Sequence, residues 1–167
     1  INVGAGVQIS SAGHFNMCGG SIYGNGGSQG RGIFNQGVSG MAGGKISNQY
    51  DAVHNDGTFN VTHGDFNANL YRSRYADVAS AYAGNDWGAL FHWLMYGIYE
   101  GRDAGSSNNT YINGTFRAVW NNGTFTSITG DFNAKSSYNV YQNGNYNVAG
   151  DAKGWTNGIY LTQNHYV

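Results

Sequence analysis

Residues 123–151 read GTFTSITGDFNAKSSYNVYQNGNYNVAGD and nearly repeat themselves within their own length. A strand-like run leads to Gly-Asp, then to an aliphatic–aromatic pair, then to Asn-Gly, and the pattern begins again. Along the whole chain a first signature, a glycine, a variable residue and then an apolar one, appears at Gly20, Gly44, Gly64, Gly130 and Gly150. A second, an aliphatic residue, usually an aromatic, then polar residues and glycine, starts at Ile33, Val53, Val119, Val140 and, in shortened form, Ile159. A third and looser one centres on Phe15, Phe59, Phe125 and Tyr146. The first two recur at a spacing near 20 residues and share one long step of 66. A common period with a common anomaly is the mark of a repeat carrying an insertion.

Three short strand-like segments per period, separated by Gly and Asn, are too short and too regular for an ordinary sandwich. The spacing predicts an all-β solenoid, a parallel β-helix of about five three-sided coils, with a helical hairpin inserted over residues 70–106 of a single domain, 1–167. Alternation along each strand then puts Ile22, Ile46, Phe66 and Phe132 in one inward column, and Ile33, Val53, Val119, Val140 and Ile159 in another. Asn and Gly at the corners accept the left-handed backbone that such bends need.

HFNMCGGSIYGN (residues 14–25) and TFNVTHGDFNAN (58–69) resemble the GTF-x-MSGG-x-I type of parallel β-helix repeat found in bacterial secreted and surface proteins. That resemblance implies a fold and hardly any activity, since such scaffolds carry adhesins, lyases and passive spacers alike. Within the insertion the pattern changes to helical spacing, with Tyr71, Tyr75, Val78 and Tyr82 marking one face and Leu90, Phe91, Leu94 and Met95 another. Gly84-Asn85 ends a first helix, Asp86 caps a second and Gly97 closes it. Tyr75, Asp77, Val78, His92, Trp93, Tyr96, Gly97 and Glu100-Gly101-Arg102 resemble a short helical module of Gram-positive secreted and cell-wall proteins. This likeness implies an extracellular or cell-surface bacterial setting. His92 and Trp93 read as hairpin core, and Glu100 with Arg102 as a local ion pair.

Composition narrows the function classes. With 28 Gly, 13 Tyr, 8 Phe and 4 Trp but only 10% charged residues, the chain reads as folded and not disordered. A formal charge of −1 argues against nucleic acid as a partner, and no apolar run is long enough to span a membrane. A chain opening on Ile1 reads as one whose leader has been removed or trimmed. The single cysteine, Cys18, is expected to be small, half-buried filler. Asn60, Asn108, Asn113 and Asn122 fit the glycosylation triplet, as chance would allow in so Asn-rich a chain. The five histidines show no ligand spacing, and no nucleophile–base grouping assembles, so the chain is not read as an enzyme.

Two outward columns hold what chemistry there is. Beside the glycines run Ser21, Lys45, Asp65, Asp131 and Asp151. Three stacked carboxylates are either a solvated acidic edge with Lys45 pairing Asp65, a calcium site, or an acid–base pair of a polysaccharide lyase or hydrolase. Beside the aliphatic column run Phe34, His54, Trp120, Tyr141 and Tyr160, an aromatic ladder that stacks on sugar rings, packs under the hairpin or buries itself in a second subunit. Both chain ends read as strand without proline or dense lysine to blunt an edge. The expected function is therefore an extracellular structural subunit that polymerises end to end into a filament, a homopolymer. The alternative is a carbohydrate-binding or adhesive module using the ladder on glycans.

Overall fold

The computed structural model describes residues 4–25, 29–134, 140–142, 144–148 and 159–161. Its strands in chain order are β1 (Ala5–Ile9), β2 (His14–Met17), β3 (Ser21–Tyr23), β4 (Arg31–Asn35), β5 (Val38–Met41), β6 (Gly44–Asn55) and β7 (Thr58–Val61). After a helical segment come β8 (Thr110–Asn121), β9 (Thr124–Ser127), β10 (Asp131–Ala134), β11 (Val140–Gln142), β12 (Asn145–Val148) and β13 (Ile159–Leu161). All the pairings between these strands are parallel.

The chain does not form five three-sided coils. Its strands gather into two sheets. One has eight strands, six of them along the path β1-β4-β6-β8-β11-β13 in a barrel-like wall, with β3 paired to β6 and β10 to β8 off that path. The other runs β2-β5-β7-β9-β12. The reason lies in β6 and β8. Ser47–Tyr50 and Asn113–Phe116, which carry Asn and Gly of the kind expected at corners, stay extended, so Ile46 and Val53 share one strand of twelve residues, and Ile112 and Val119 another. Their Asn and Gly residues are absorbed as register shifts between Ile46 and Asp51, where Gln49 pairs with Gly114.

Register is otherwise strict. Ile33, Val53, Val119, Val140 and Ile159 stand opposite one another in successive strands. In the row beside them Ile22, Ile46, Ile112 and Phe132 align, so Ile112, after the insertion, takes the place expected for Phe66. The core lies between the two sheets, with Ile33, Ile46, Val53, Ile112, Val119 and Phe132 from the first meeting Met41, Phe59, Val61 and Phe125 from the second. Phe59 and Phe125 stack with ring centres 5.4 Å apart.

A polar spine runs through this core. Asn35, Asn55 and Asn121 are fully buried. Asn35 Nδ2 donates to Asn55 Oδ1 at 2.7 Å, and Asn55 Nδ2 donates to Asn121 Oδ1 at 2.7 Å. Each amide also donates to the carbonyl two residues ahead, of Gly37, Gly57 and Gly123 respectively. These bonds hold three successive turns between the sheets and satisfy groups that would be costly to bury unpaired. They also explain the glycine of the second signature. A Cβ on Gly57 would lie 2.1 Å from the Gly37 carbonyl oxygen, and one on Gly123 2.0 Å from that of Gly57.

The insertion forms α1 (Ala68–Arg74), α2 (Ala76–Ala81), α3 (Asp86–His92) and a π-helical turn (Trp93–Gly97). The first expected helix is broken at Tyr75, whose backbone is extended. Asn67 and Asn85, not Asp86, supply the amino-terminal caps, accepting from Leu70 and Gly88 N–H. The helices lie against the second sheet. Asn60 Nδ2 donates to Tyr99 O at 2.7 Å, the His14 and Tyr99 rings meet edge to face, and Ile98 fills the space over Gly40. Phe66 leaves the row expected of it and packs with Tyr71 and Trp93 in this second core. Trp93 is buried and its indole N–H reaches Arg102 O, while His92 is half-buried with Nδ1 2.9 Å from the Tyr71 hydroxyl. That burial pushes the Tyr71 phenol up to about 12. Phe91 and Met95, expected on an inward face, point outward with Trp87, which is 82% exposed. No helix among the described residues is long and apolar enough to cross a membrane.

Candidate functional site

The acidic column does not assemble as expected. The row runs Ser21, Lys45, Tyr111, Asp131, because Tyr111 occupies the place expected for Asp65. Asp65 lies apart, at positive φ, and accepts a hydrogen bond from the Ser107 hydroxyl at 2.7 Å. Asp151 lies outside the described residues. Among the described residues no three His, Cys, Asp or Glu side chains are grouped to hold a metal ion.

The aromatic column does assemble in part. Phe34, His54 and Trp120 stand in register on β4, β6 and β8, with ring centres 5.1 and 4.8 Å apart. Tyr141 and Tyr160 follow in backbone register on β11 and β13. The ladder is not an open platform, since His54 is buried and Phe34 and Trp120 are half-buried. It is also on the sheet that the helices do not cover. Burial, with the charge of Arg31, pushes the His54 imidazole below its ordinary range, against the pull of Asp56, whose Oδ1 is 3.0 Å from Nε2. His54 is therefore neutral at pH 7, with Nε2–H donating to Asp56.

Beside the ladder lies a row the sequence reading passed over. Arg31, Asp51 and Arg117 stand in register, each two residues before an aliphatic residue of the second signature. Asp51 is buried and accepts from Arg117 through two bonds, Nε to Oδ1 at 2.7 Å and Nη2 to Oδ2 at 2.9 Å. The Arg117 guanidinium lies over Trp120 at 4.1 Å and near Phe116 at 4.7 Å. Tyr50 and Phe116 stack at 4.6 Å, nearly parallel. Together with Gln29 these side chains line a cleft of about 350 Å³. The signal was present as an alternating Arg, Asp, Arg two places before Ile33, Val53 and Val119, visible only once the periods are aligned.

A second concave face lies where β1, β2 and β3 each have a paired edge and a free one among the described residues. Val7, Phe15 and Ile22 are half-buried there against the core and line a recess of about 420 Å³. Cys18 sits on its rim, exposed, contrary to the half-buried filler expected, and its thiol donates to Asn16 Oδ1. Partial desolvation raises the thiol pKa, against the pull of the Asn16 hydrogen bond.

Protein families, curated proteins and solved structures contain no match to this chain.

Proposed function

We propose that the protein is an extracellular structural subunit that assembles end to end, each copy adding its strands to the two parallel sheets of the next. The recess framed by β1, β2 and β3 carries this reading. Three strand edges and three incompletely covered core side chains converge there, the combination that pairs with further strands. A second copy suits it because every strand pairing is parallel. The far strands of the two paths, β13 and β12, therefore run in the same sense as β1 and β2 and continue the same ladder. Such a contact is head to tail and does not close, so it propagates. Low charge opposes it little.

The helical segment supplies a lateral surface. Trp87, Phe91 and Met95 lie four residues apart along α3 and the following turn and are all exposed. Their role in this reading is contact between neighbouring strings of subunits.

Sedimentation velocity over a concentration series, in reductant, tests the assembly. Wild-type protein should show species growing with concentration, and Val7→Lys or a bulky maleimide on Cys18 should leave monomer. A monomer at all concentrations, or growth unaffected by both changes, overturns it.

A further inference from the structure

We propose that the cleft beside the aromatic ladder binds a saccharide unit carrying a carboxylate. The proposal is independent of end-to-end assembly, because the cleft lies on the outer side of β4, β6 and β8 and not at the β1–β3 recess.

Three features of the cleft define the ligand. Its walls are aromatic: Tyr50, Phe116 and the half-buried Trp120 line it with apolar ring surface, which suits the C–H faces of a pyranose. Among the described residues its charge is positive by one: Arg31 and Arg117 face a single carboxylate, Asp51, and that carboxylate is already engaged by Arg117 through both oxygens. Arg31 rests over the Phe34 ring at 4.8 Å and has no carboxylate in ion-pair reach among the described residues. A planar fork of donors held beside an aromatic wall matches a ligand carboxylate. Third, Gln29 at the rim offers amide donors and an acceptor for hydroxyl groups. Among the described lining residues, one guanidinium without a carboxylate partner and no lysine fit a monoanion, whereas a polyphosphate demands several cations. The volume, about 350 Å³, is that of a small-ligand cleft.

The Arg117–Asp51 pair positions the site. It locks Arg117 against Trp120 and Phe116 and so keeps the aromatic wall upright.

Calorimetric titration with matched short oligosaccharides, of galacturonate against galactose and of glucuronate against glucose, tests the proposal, with AMP and inorganic phosphate as non-saccharide anions. An acidic member of a pair should bind and its neutral partner should not. Arg31→Gln should weaken binding about ten- to hundredfold, the worth of one charge-assisted contact. Phe116→Ala, or Phe116→Leu if the alanine variant unfolds, should weaken it comparably, and added salt should weaken the wild type. Thermal unfolding of each variant reports that it is folded. Equal binding of neutral and acidic members, stronger binding of AMP or phosphate, no binding of any probe, or acidic binding indifferent to both substitutions each overturns the proposal.

Discussion

Replacing Asn55 with alanine attacks the buried asparagine spine at its centre. In the wild type the Asn55 amide donates to Asn121 Oδ1, Gly57 O and Thr124 O and accepts from Asn35 Nδ2. Alanine fills none of these roles. Gly57 O retains the Thr124 N–H and Asn35 Nδ2 retains the Gly37 and Thr58 carbonyls, so the loss falls mainly on Asn121 and Thr124. At about 1–3 kcal/mol for each buried group that loses its match, with a small cavity added, the cost comes to about 4 kcal/mol. In a domain of this length that lowers Tm by about 10 °C. Urea denaturation followed by tryptophan fluorescence measures it, with Gln36→Ala, an exposed neighbour of the spine, expected within about 0.5 kcal/mol of wild type. A cost for Asn55→Ala as small as that of Gln36→Ala would refute the claim that the spine holds the turns between the sheets.

Other perturbations report on separate parts of the structure. Arg117→Met leaves Asp51 buried without its cation and should cost about 3–5 kcal/mol, whereas Asp51→Leu combined with Arg117→Met should cost markedly less, a coupling that a double-mutant cycle in urea reads directly. Gly57→Ala drives a Cβ against the Gly37 carbonyl and should destabilise by several times the ~1 kcal/mol that a glycine change in open space brings, as seen by calorimetry. Because the folded pKa of His54 is depressed below 6.5, the unfolded chain binds that proton first. His54 therefore contributes stability that is complete above about pH 6.5 and is lost as the pH falls below it. Denaturation at stepped pH should show that slope, and His54→Gln should flatten it. Trp87→Gln with Phe91→Gln should leave unfolding unchanged and reduce the bundling of assembled strings in electron micrographs.

The alignment of the aliphatic row, the rings of Phe34, His54 and Trp120, and the place of the insertion were legible in the sequence because periodicity reports which residues stand opposite each other. Architecture was less so. Whether Asn48 and Gly114 turn a corner or ride inside a long strand is settled by neighbouring strands, not by local propensity, and here β6 and β8 run straight through. The acidic column failed for a related reason. The insertion follows Asp65 and Phe66, and the chain rejoins the sheet at Tyr111 and Ile112 instead. The Arg31–Asp51–Arg117 row was missed because each member alone is an ordinary surface charge in the sequence. Only stacking makes them one site. The outward turn of Phe91 and Met95 was hidden because an apolar face at helical spacing looks the same whether it meets its own core or another molecule.

Electron microscopy of the concentrated protein tests the central claim, end-to-end assembly, most directly. The account predicts filaments, single or bundled, whose component strings are one subunit wide, with a strand repeat of about 4.8 Å along the axis, the spacing of paired strands, and their absence in Val7→Lys. Discrete particles of monomer size at every concentration would contradict it.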